Sequence, residues 1–139
     1  MKLKVEKITP TAKLPTRAYE GDAGLDLYAD EDLIIARGTH SLIKTGIKME
    51  IPLGFVGLVW DKGGLAKVGL HSIAGVVDAG YRGEVFVDLV NLGSADYAVT
   101  AGQKIAQILI QPVSLIAVSE GQVSESERGD KSLGSSGLN

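Results

Sequence analysis

The chain has 139 residues, of which 45% are hydrophobic and 22% are charged, and its formal net charge is -3 at pH 7. This length suits one domain with a hydrophobic core, and the negative charge argues against non-specific binding to nucleic acid, which needs an excess of Lys and Arg. The lack of cysteine excludes disulfides, thiolate metal sites and cysteine nucleophiles, and two histidines are too few for a three-histidine zinc site within one chain.

The N-terminal segment, residues 1–7, alternates charged and apolar side chains and lacks the apolar run that a signal peptide needs. No stretch of the sequence approaches the roughly 18 apolar residues of a membrane span. We therefore expect no association with membranes and, by default, a cytoplasmic location.

Short apolar runs with a period of two recur along the chain, separated by Gly, Pro, Asp and Asn. They predict strands over Lys2–Ile8, Leu33–Ile35, Phe55–Trp60 and Glu84–Leu89. A longer β-branched run, Ile105–Val118, is interrupted by Pro112 and predicts two strands or one bent strand. A short helix is expected over Gly64–Val68. Because the 18 glycines are too frequent for long helices, the pattern predicts an all-β sandwich or distorted jelly roll.

The composition changes after residue 118, where Ser, Gly and charged residues replace the apolar runs. We predict a β domain over residues 1–118 and a flexible tail over residues 119–139. Taken alone, such a tail is typical of disorder. It also contains Arg128, Lys131 and the stretch Gly134-Ser135-Ser136-Gly137, which offer the cations, hydroxyls and backbone N–H groups that hold phosphate oxygens.

Five short segments carry the residues best suited to chemistry. In chain order they are Ala23–Ala29, Asp61–Ala66, Gly75–Val85, Gly102–Gln107 and Arg128–Gly137. In content and order this set resembles the five motifs of the trimeric dUTPase family, over nearly the whole chain. The resemblance implies a homotrimer that hydrolyses dUTP to dUMP and pyrophosphate with Mg²⁺. Such an enzyme limits uracil incorporation into DNA and supplies dUMP for dTMP synthesis.

The resemblance implies three catalytic residues. Asp78 would accept a hydrogen bond from the sugar 3′-hydroxyl and help to activate water, Gln107 would hold that water and a phosphate oxygen, and Asp26 would order water or the ligands of Mg²⁺. Tyr81 would lie under the sugar and exclude a 2′-hydroxyl. On the residues alone, Asp78 and Tyr81 equally suit a turn-capping carboxylate and a packing ring, and Asp26 suits a solvated strand position.

The remaining residues implied by the resemblance bind substrate. Lys62, Gly63 and Gly64 would contact phosphates, and main-chain groups in and beside the hairpin over residues 69–75 would read the uracil edge; in the tail, Arg128 would clamp the γ-phosphate. The other binding residues expected are Ser72, Val76, Val77, Leu133, Gly134, Ser135 and Ser136. No direct protein ligand to Mg²⁺ is expected, because this ion usually binds through substrate phosphates and water, here near Asp26.

Two positions depart from the family pattern. Lys62-Gly63 stands where the family has Arg-Ser, so the bidentate fork and a hydroxyl near the phosphate bridge are both missing. Leu133 replaces an aromatic residue and covers the uracil ring without stacking. These departures leave open a nucleotide-binding or regulatory homologue with weak turnover. A dCTP deaminase is less favoured, because the turn carries Asp78 in place of the Glu which that family needs. Asn91 and Lys104 receive no role beyond structure or surface.

Overall fold

The structure is a computed structural model that describes residues 1–137; residues 138 and 139, the end of the predicted tail, lie outside the described part. Within it the chain forms eleven strands and one short helix. The elements are β1 (Lys4–Lys7), β2 (Leu25–Tyr28), β3 (Leu33–Ile35), β4 (His40–Lys44), β5 (Ile47–Glu50), β6 (Phe55–Trp60), α1 (Gly63–Ala66), β7 (Leu70–Ser72), β8 (Val76–Val77), β9 (Phe86–Asn91), β10 (Tyr97–Val99) and β11 (Lys104–Pro112).

All strand pairs of the described residues are antiparallel and belong to four sheets. The largest sheet has the order β2-β11-β6-β8, and a three-stranded sheet has the order β4-β9-β7; β1-β5 and β3-β10 form two-stranded pairs. The predicted all-β class is confirmed. No helix of residues 1–137 is long and apolar enough to cross a membrane.

The core is built by the alternation of the strands. In β9, Val87, Leu89 and Asn91 are buried while Asp88 and Val90 are only partly covered. Buried side chains from most of the strands converge on this layer: Leu27, Ile35, Ile43, Ile47, Leu70, Ile105 and Ile108. Each such side chain contributes about 1.5–3 kcal/mol when fully buried, which makes their shared contact the main stabilising feature of the domain.

The predicted strands Leu33–Ile35 and Phe55–Trp60 are confirmed to the residue, and the strand predicted over residues 2–8 is the shorter β1. The strand predicted over Glu84–Leu89 occurs two residues later, as β9. The helix lies over Gly63–Ala66 instead of residues 64–68.

The long apolar run after residue 104 forms one strand, not two. Strand β11 ends at Pro112, whose missing N–H cannot continue the ladder. All described residues from 111 to 137 are exposed, and none after 112 belongs to a strand. Leu115 and Ile116 are among them, with 71% and 81% of their surface exposed.

Strand β11 is one of the two inner strands of the large sheet and carries an irregularity near its start. Its register with β2 shifts between Lys104 and Ala106, as in a β-bulge. Ile105 and Ala106 are both fully buried, so two consecutive side chains point into the core. In a regular strand they would point to opposite faces. The bulge therefore brings Lys104 to the face on which it contacts Asp26.

Candidate functional site

Three residues from distant parts of the sequence form a row across the large sheet. Gln107 on β11 pairs directly with Asp26 on β2 and with Trp60 on β6. Side chains of directly paired residues lie on the same face of an antiparallel sheet. The register alone thus brings one residue of the first motif next to one of the fourth, beside the start of the second.

This row forms the wall of a cleft of about 590 Å³. The cleft is lined by Ala18, Asp22, Ala23, Gly24, Asp26, Trp60, Asp61, Lys62, Gln107 and Leu109. Of the predicted site residues, the structure therefore brings together Asp26, Lys62 and Gln107.

Asp26 is the buried centre of a group of three charges. Its side chain is 4% exposed, with Lys62 Nζ 2.6 Å from Oδ1 and Lys104 Nζ 2.8 Å from Oδ2. Sequence reasoning missed the role of Lys104, because strict alternation from Gln107 places it on the opposite face. The sequence signal was weak: Ile105 and Ala106 are two consecutive residues that both suit a core.

The carboxylate of Asp26 and the two ammonium groups stabilise one another electrostatically. Burial opposes ionisation of Asp26, but the ammonium groups of Lys104 and Lys62 outweigh it and hold the pKa of the carboxyl below its usual value of 3.8. The same contact with Asp26 raises the pKa of Lys104. At their formal charges the one carboxylate and the two ammonium groups sum to one positive charge, which suits an anionic ligand.

The contacts of Asp26 affect how a divalent cation binds in the first cleft. Both oxygens of Asp26 face ammonium groups, so a metal ion bound directly to this carboxylate would have to displace one of them. Within residues 1–137, no group of three or more His, Asp or Glu side chains is placed to hold a metal ion. The lysines on both oxygens of Asp26 therefore disfavour direct binding of a metal ion to this carboxylate.

Gln107 is held in one orientation. Its Nε2 donates a hydrogen bond to the main-chain oxygen of Asp61 at 2.8 Å, which places Oε1 on the side of Gly24. A Cβ atom on Gly24 would overlap Oε1, so glycine is required there by close approach. The amide therefore presents a hydrogen-bond acceptor at the edge of the cleft.

Helix α1 begins directly after Lys62. The main-chain oxygen of Lys62 accepts the N–H groups of Leu65 and Ala66, so the N–H groups of Gly63 and Gly64 precede the first helical hydrogen bonds. A Cβ atom at Gly63 or Gly64 would meet no atom within 4 Å, and neither glycine has a positive φ. A larger residue at position 63 is therefore compatible with the backbone.

A second cleft, of about 200 Å³, contains two more predicted residues, Ser72 and Val76. Trp60 lines this cleft as well as the first one. The backbone of the hairpin is unusual here, because Ala74 has a φ of 60° and Gly75 a φ of 134°. Val77 does not line the cleft; it is buried and pairs with Gly57 on β6.

Asp61 stands between the two clefts. Oδ1 accepts the main-chain N–H of Ser72 at 2.6 Å, and Oδ2 lies 2.6 Å from Nδ1 of His71. Burial opposes ionisation of this carboxyl, but His71 and the N–H of Ser72 outweigh it and lower its pKa. Sequence reasoning assigned no role to Asp61 or His71, since their contact depends on how β7 lies against the end of β6.

Asp78 and Tyr81 occupy the turn after β8, outside both clefts. The N–H of Tyr81 donates to the main-chain oxygen of Asp78 at 3.0 Å, which closes the turn. The hydroxyl of Tyr81 donates to the main-chain oxygen of Glu84 at 2.8 Å, and its ring lies against Gly83, where a Cβ atom would overlap it. The phenol is fixed, and Asp78 is exposed.

The predicted tail residues form a third location. Arg128 and Ser135 line a surface depression with Lys131, and Nε of Arg128 donates to the main-chain oxygen of Lys131 at 3.0 Å. Leu133 is fully exposed, as are its neighbours Gly134 and Ser136. Within one chain the predicted residues are thus divided among the first cleft, the second cleft, the turn and the tail.

Asn91 has a structural role. Its buried amide donates to the main-chain oxygens of Ile35 and Ala95, both at 2.9 Å, and accepts the N–H of Gly93. These bonds satisfy the amide inside the core, where an unpaired polar group would destabilise the fold.

The fold and the first cleft define an all-β protein with a pocket suited to anions. A family model described as dUTPase matches residues 10–137, and the chain belongs to this family. The deoxyuridine 5′-triphosphate nucleotidohydrolase of Mycobacterium leprae (strain TN) is 44% identical over 145 residues, covering 97% of this chain and 94% of the relative. The enzyme of that name from Mycobacterium tuberculosis (strain ATCC 25618 / H37Rv) is 43% identical with the same coverage.

Solved structures agree with the fold. The dUTPase of Staphylococcus bacteriophage 80alpha with dUPNHPP has a TM-score of 0.92 at 27% identity and covers 99% of each chain. A mutant dUTPase of phage phi11 of S. aureus, described for the coordination of a structural Mg(II) ion, has a TM-score of 0.84 at 24% identity, over 91% of this chain and 100% of that one. At that identity the second likeness shows the fold alone. The predicted jelly-roll class is confirmed.

Proposed function

We propose that this chain is a dUTP diphosphatase that cleaves the α,β-phosphate linkage of dUTP and releases dUMP and pyrophosphate. The observation that carries this function is the meeting of Asp26, Lys62 and Gln107, one residue from each of three family motifs, in a cleft whose charged group is net positive. The alternative of a weakly active binding homologue is not favoured, since the relatives at 43–44% identity are nucleotidohydrolases.

The first cleft takes the phosphates. Lys62 and the N–H groups of Gly63 and Gly64 bind phosphate oxygens, and Gln107 uses Oε1 to accept a hydrogen bond from the attacking water. Asp26 acts by holding Lys62 in place. The fixed amide of Gln107 supports this role, because a preorganised acceptor needs no reorientation when the reaction begins.

The second cleft takes the base. Main-chain groups near Ser72, Val76 and Val77 hydrogen-bond the uracil edge, and a base with the wrong edge leaves them unpaired. Asp78 accepts a hydrogen bond from the 3′-hydroxyl and takes a proton from water, while the ring of Tyr81 fills the space of a 2′-hydroxyl. The bond from Tyr81 to Glu84 supports this steric role, because it keeps the ring from turning away.

The tail covers the bound nucleotide. Arg128 pairs with the γ-phosphate, Leu133 covers the uracil ring, and further hydrogen bonds come from Gly134, Ser135 and Ser136. In this proposal residues 1–118 are the β domain and residues 119–139 are the tail, and its closure excludes water other than the nucleophile. The exposure of every described residue after 111 supports a segment that gains its contacts from a ligand or another subunit.

Asp26, through its lysines and ordered water, would be the protein group beside Mg²⁺ carried on the substrate phosphates. The ion would supply neutralisation of part of the triphosphate charge. The engagement of both Asp26 oxygens by lysines supports this indirect arrangement.

The active assembly is a homotrimer whose sites combine residues of different subunits. Two facts support this: the predicted residues are divided among separate locations in one chain, and Ile34, Leu42, Leu115 and Ile116 expose more than half of their surface. Large exposed apolar side chains of this kind often mark protein–protein contacts. A cytoplasmic location is part of the same proposal.

Pyrophosphate release from dUTP, dCTP, dTTP and UTP, with and without Mg²⁺, tests the activity. We expect release from dUTP with Mg²⁺ and little from the other three. Equal rates with UTP and dUTP contradict the steric role of Tyr81, and bound but unconsumed dUTP contradicts the enzyme.

Subunit mixing tests the shared site. A chain that ends at residue 118 and an Asp78→Ala chain each lack one part of the site, and we expect both to be inactive alone. Mixed trimers regain activity, because some sites receive an intact part from each subunit. No recovery after mixing, with heterotrimers verified by mass, contradicts a site built from several chains.

A further inference from the structure

Asp61 connects three elements. Its carboxylate bonds the N–H of Ser72 and the ring of His71 on β7, and its main-chain oxygen accepts the amide of Gln107 on β11. Asp61 itself directly follows β6. The side chain of Asp61 is 25% exposed and that of His71 is 57% exposed, so the contact with the N–H of Ser72 is the better shielded of the two. One residue thus ties the end of β6 to β7 and to β11 at the wall between the clefts.

These contacts form a sequence of restraints that runs from β7 through Asp61 to Gln107. The main-chain N–H of Ser72 is part of β7, which pairs with β9 in the second sheet, so it is a rigid anchor for the carboxylate. The carboxylate in turn restrains the backbone of Asp61, whose carbonyl is the acceptor for Nε2 of Gln107. A change in the direction of this carbonyl would release the amide of Gln107 and move its Oε1.

We propose that Asp61 is a positioning residue for dUTP hydrolysis: its carboxylate, anchored by Ser72 and His71, fixes the carbonyl that orients Gln107. It does not touch the substrate and acts through Gln107. This rests on the proposed function, in which Gln107 binds the attacking water.

Steady-state kinetics on two variants test the role. Asp61→Ala removes both anchors, and we expect kcat to fall about tenfold or more while KM changes less than about threefold, because the loss is one of positioning. Asp61→Asn keeps an oxygen for the N–H of Ser72 and supplies an amide N–H that can donate to Nδ1 of His71, so it recovers most of kcat. Asp32→Ala is the matched control, since its carboxylate also bonds a main-chain N–H, that of Ala101, away from both clefts.

A double-mutant cycle with Gln107→Ala decides whether the effect passes through Gln107. In that background we expect Asp61→Ala to change kcat by less than about twofold, since residues that act as a unit are not additive. If the two losses of kcat multiply fully in the double variant, the inference is wrong, and the proposed role of Gln107 is unaffected. Normal kcat for Gln107→Ala alone overturns the proposed role of Gln107 and the inference with it.

If Asp61→Ala does not fold, His71→Ala tests the same inference. It removes one of the two anchors, and we expect a smaller loss of kcat, about threefold, that disappears in the Gln107→Ala background. A loss that persists there overturns the inference.

Discussion

The cleft around Asp26 and the tail around Arg128 both carry cations suited to phosphate, but they hold them in opposite ways. Lys62 is fixed by the buried carboxylate of Asp26 on β2, whereas Arg128 bonds only to the main chain of its own turn among the described residues. The first region is organised before any ligand arrives. In the proposed function the second is ordered by the ligand, so part of its binding free energy is consumed by loss of chain entropy. The proposal therefore places the rigid contacts where the reacting atoms must be aligned and the exposed segment where it closes over the substrate.

Removal of residues 119–139 is the strongest way to separate the two regions. We expect kcat/KM for dUTP to fall by about a thousandfold, since each lost hydrogen bond to a charged group contributes about 1.5–3 kcal/mol. The melting temperature should stay within about 2 °C, because the described tail residues are exposed. Kinetics and thermal melts of the truncated chain measure both quantities. Normal turnover would show that the tail is dispensable.

Gly24→Ala disturbs the cleft around Asp26 without changing any charge. The new methyl group overlaps Oε1 of Gln107, so the amide must leave its position. We expect kcat to fall about a hundredfold with little change in KM, the loss typical of a displacement of about 1 Å. Gly21→Ala is the control, because a Cβ atom there meets nothing within 4 Å. Equal kinetics for the two variants would mean that the position of Gln107 is unimportant.

Asp26→Asn tests what holds the lysines. The substitution keeps the shape of the side chain but leaves two ammonium groups without their counter-charge. We expect the free energy of unfolding to drop by about 1–3 kcal/mol, a value reduced from that of a fully buried pair because both lysines are partly exposed to water. Urea denaturation of both proteins gives this difference. No change in stability would show that the group of charges is not a structural anchor.

Lowering the pH tests the same contribution of Asp26 to stability. The pKa of Asp26 is lowered in the folded state, so its contribution to stability is present above the usual value of 3.8 and is lost as pH falls through the folded value. We expect the melting temperatures of the natural chain and of Asp26→Asn to differ at pH 7 and to converge below about pH 4. A constant difference across this range would place the stabilising contact elsewhere. Both proteins contain all the other carboxyl groups, including Asp61. Their effects therefore cancel in the difference between the two melting temperatures.

Gly63→Ser gives the smallest effect. The open space and the non-positive φ at position 63 remove the risk of strain, so the added hydroxyl is free to face the phosphate bridge. A donor aimed at charge that develops on the leaving group raises kcat more than it lowers KM, and we expect a gain of about threefold to tenfold. Gly21→Ser controls for a new serine in open space. An unchanged kcat would show that another group already stabilises the leaving pyrophosphate.

The sequence predicted the fold class well because alternation and turn residues are local signals. The strands β3 and β6 were predicted to the residue. The family resemblance named Asp26, Lys62 and Gln107 as site residues but did not predict the contacts among them. Lys104 was missed because a bulge changes which face a residue occupies, and no local pattern marks the change. Asp61 and His71 were missed because their contact joins two elements whose packing is a tertiary property.

The chain contains one tryptophan, and it lies at the boundary of both clefts. With 55% of its surface exposed, the indole of Trp60 is open to contact with whatever fills either space. Intrinsic fluorescence of the unmodified protein therefore comes from a single ring at the site, free of any background from other tryptophans. Titration with a non-hydrolysable dUTP analogue and with inorganic pyrophosphate would report, as two separate optical signals, the filling of the base side and of the phosphate side.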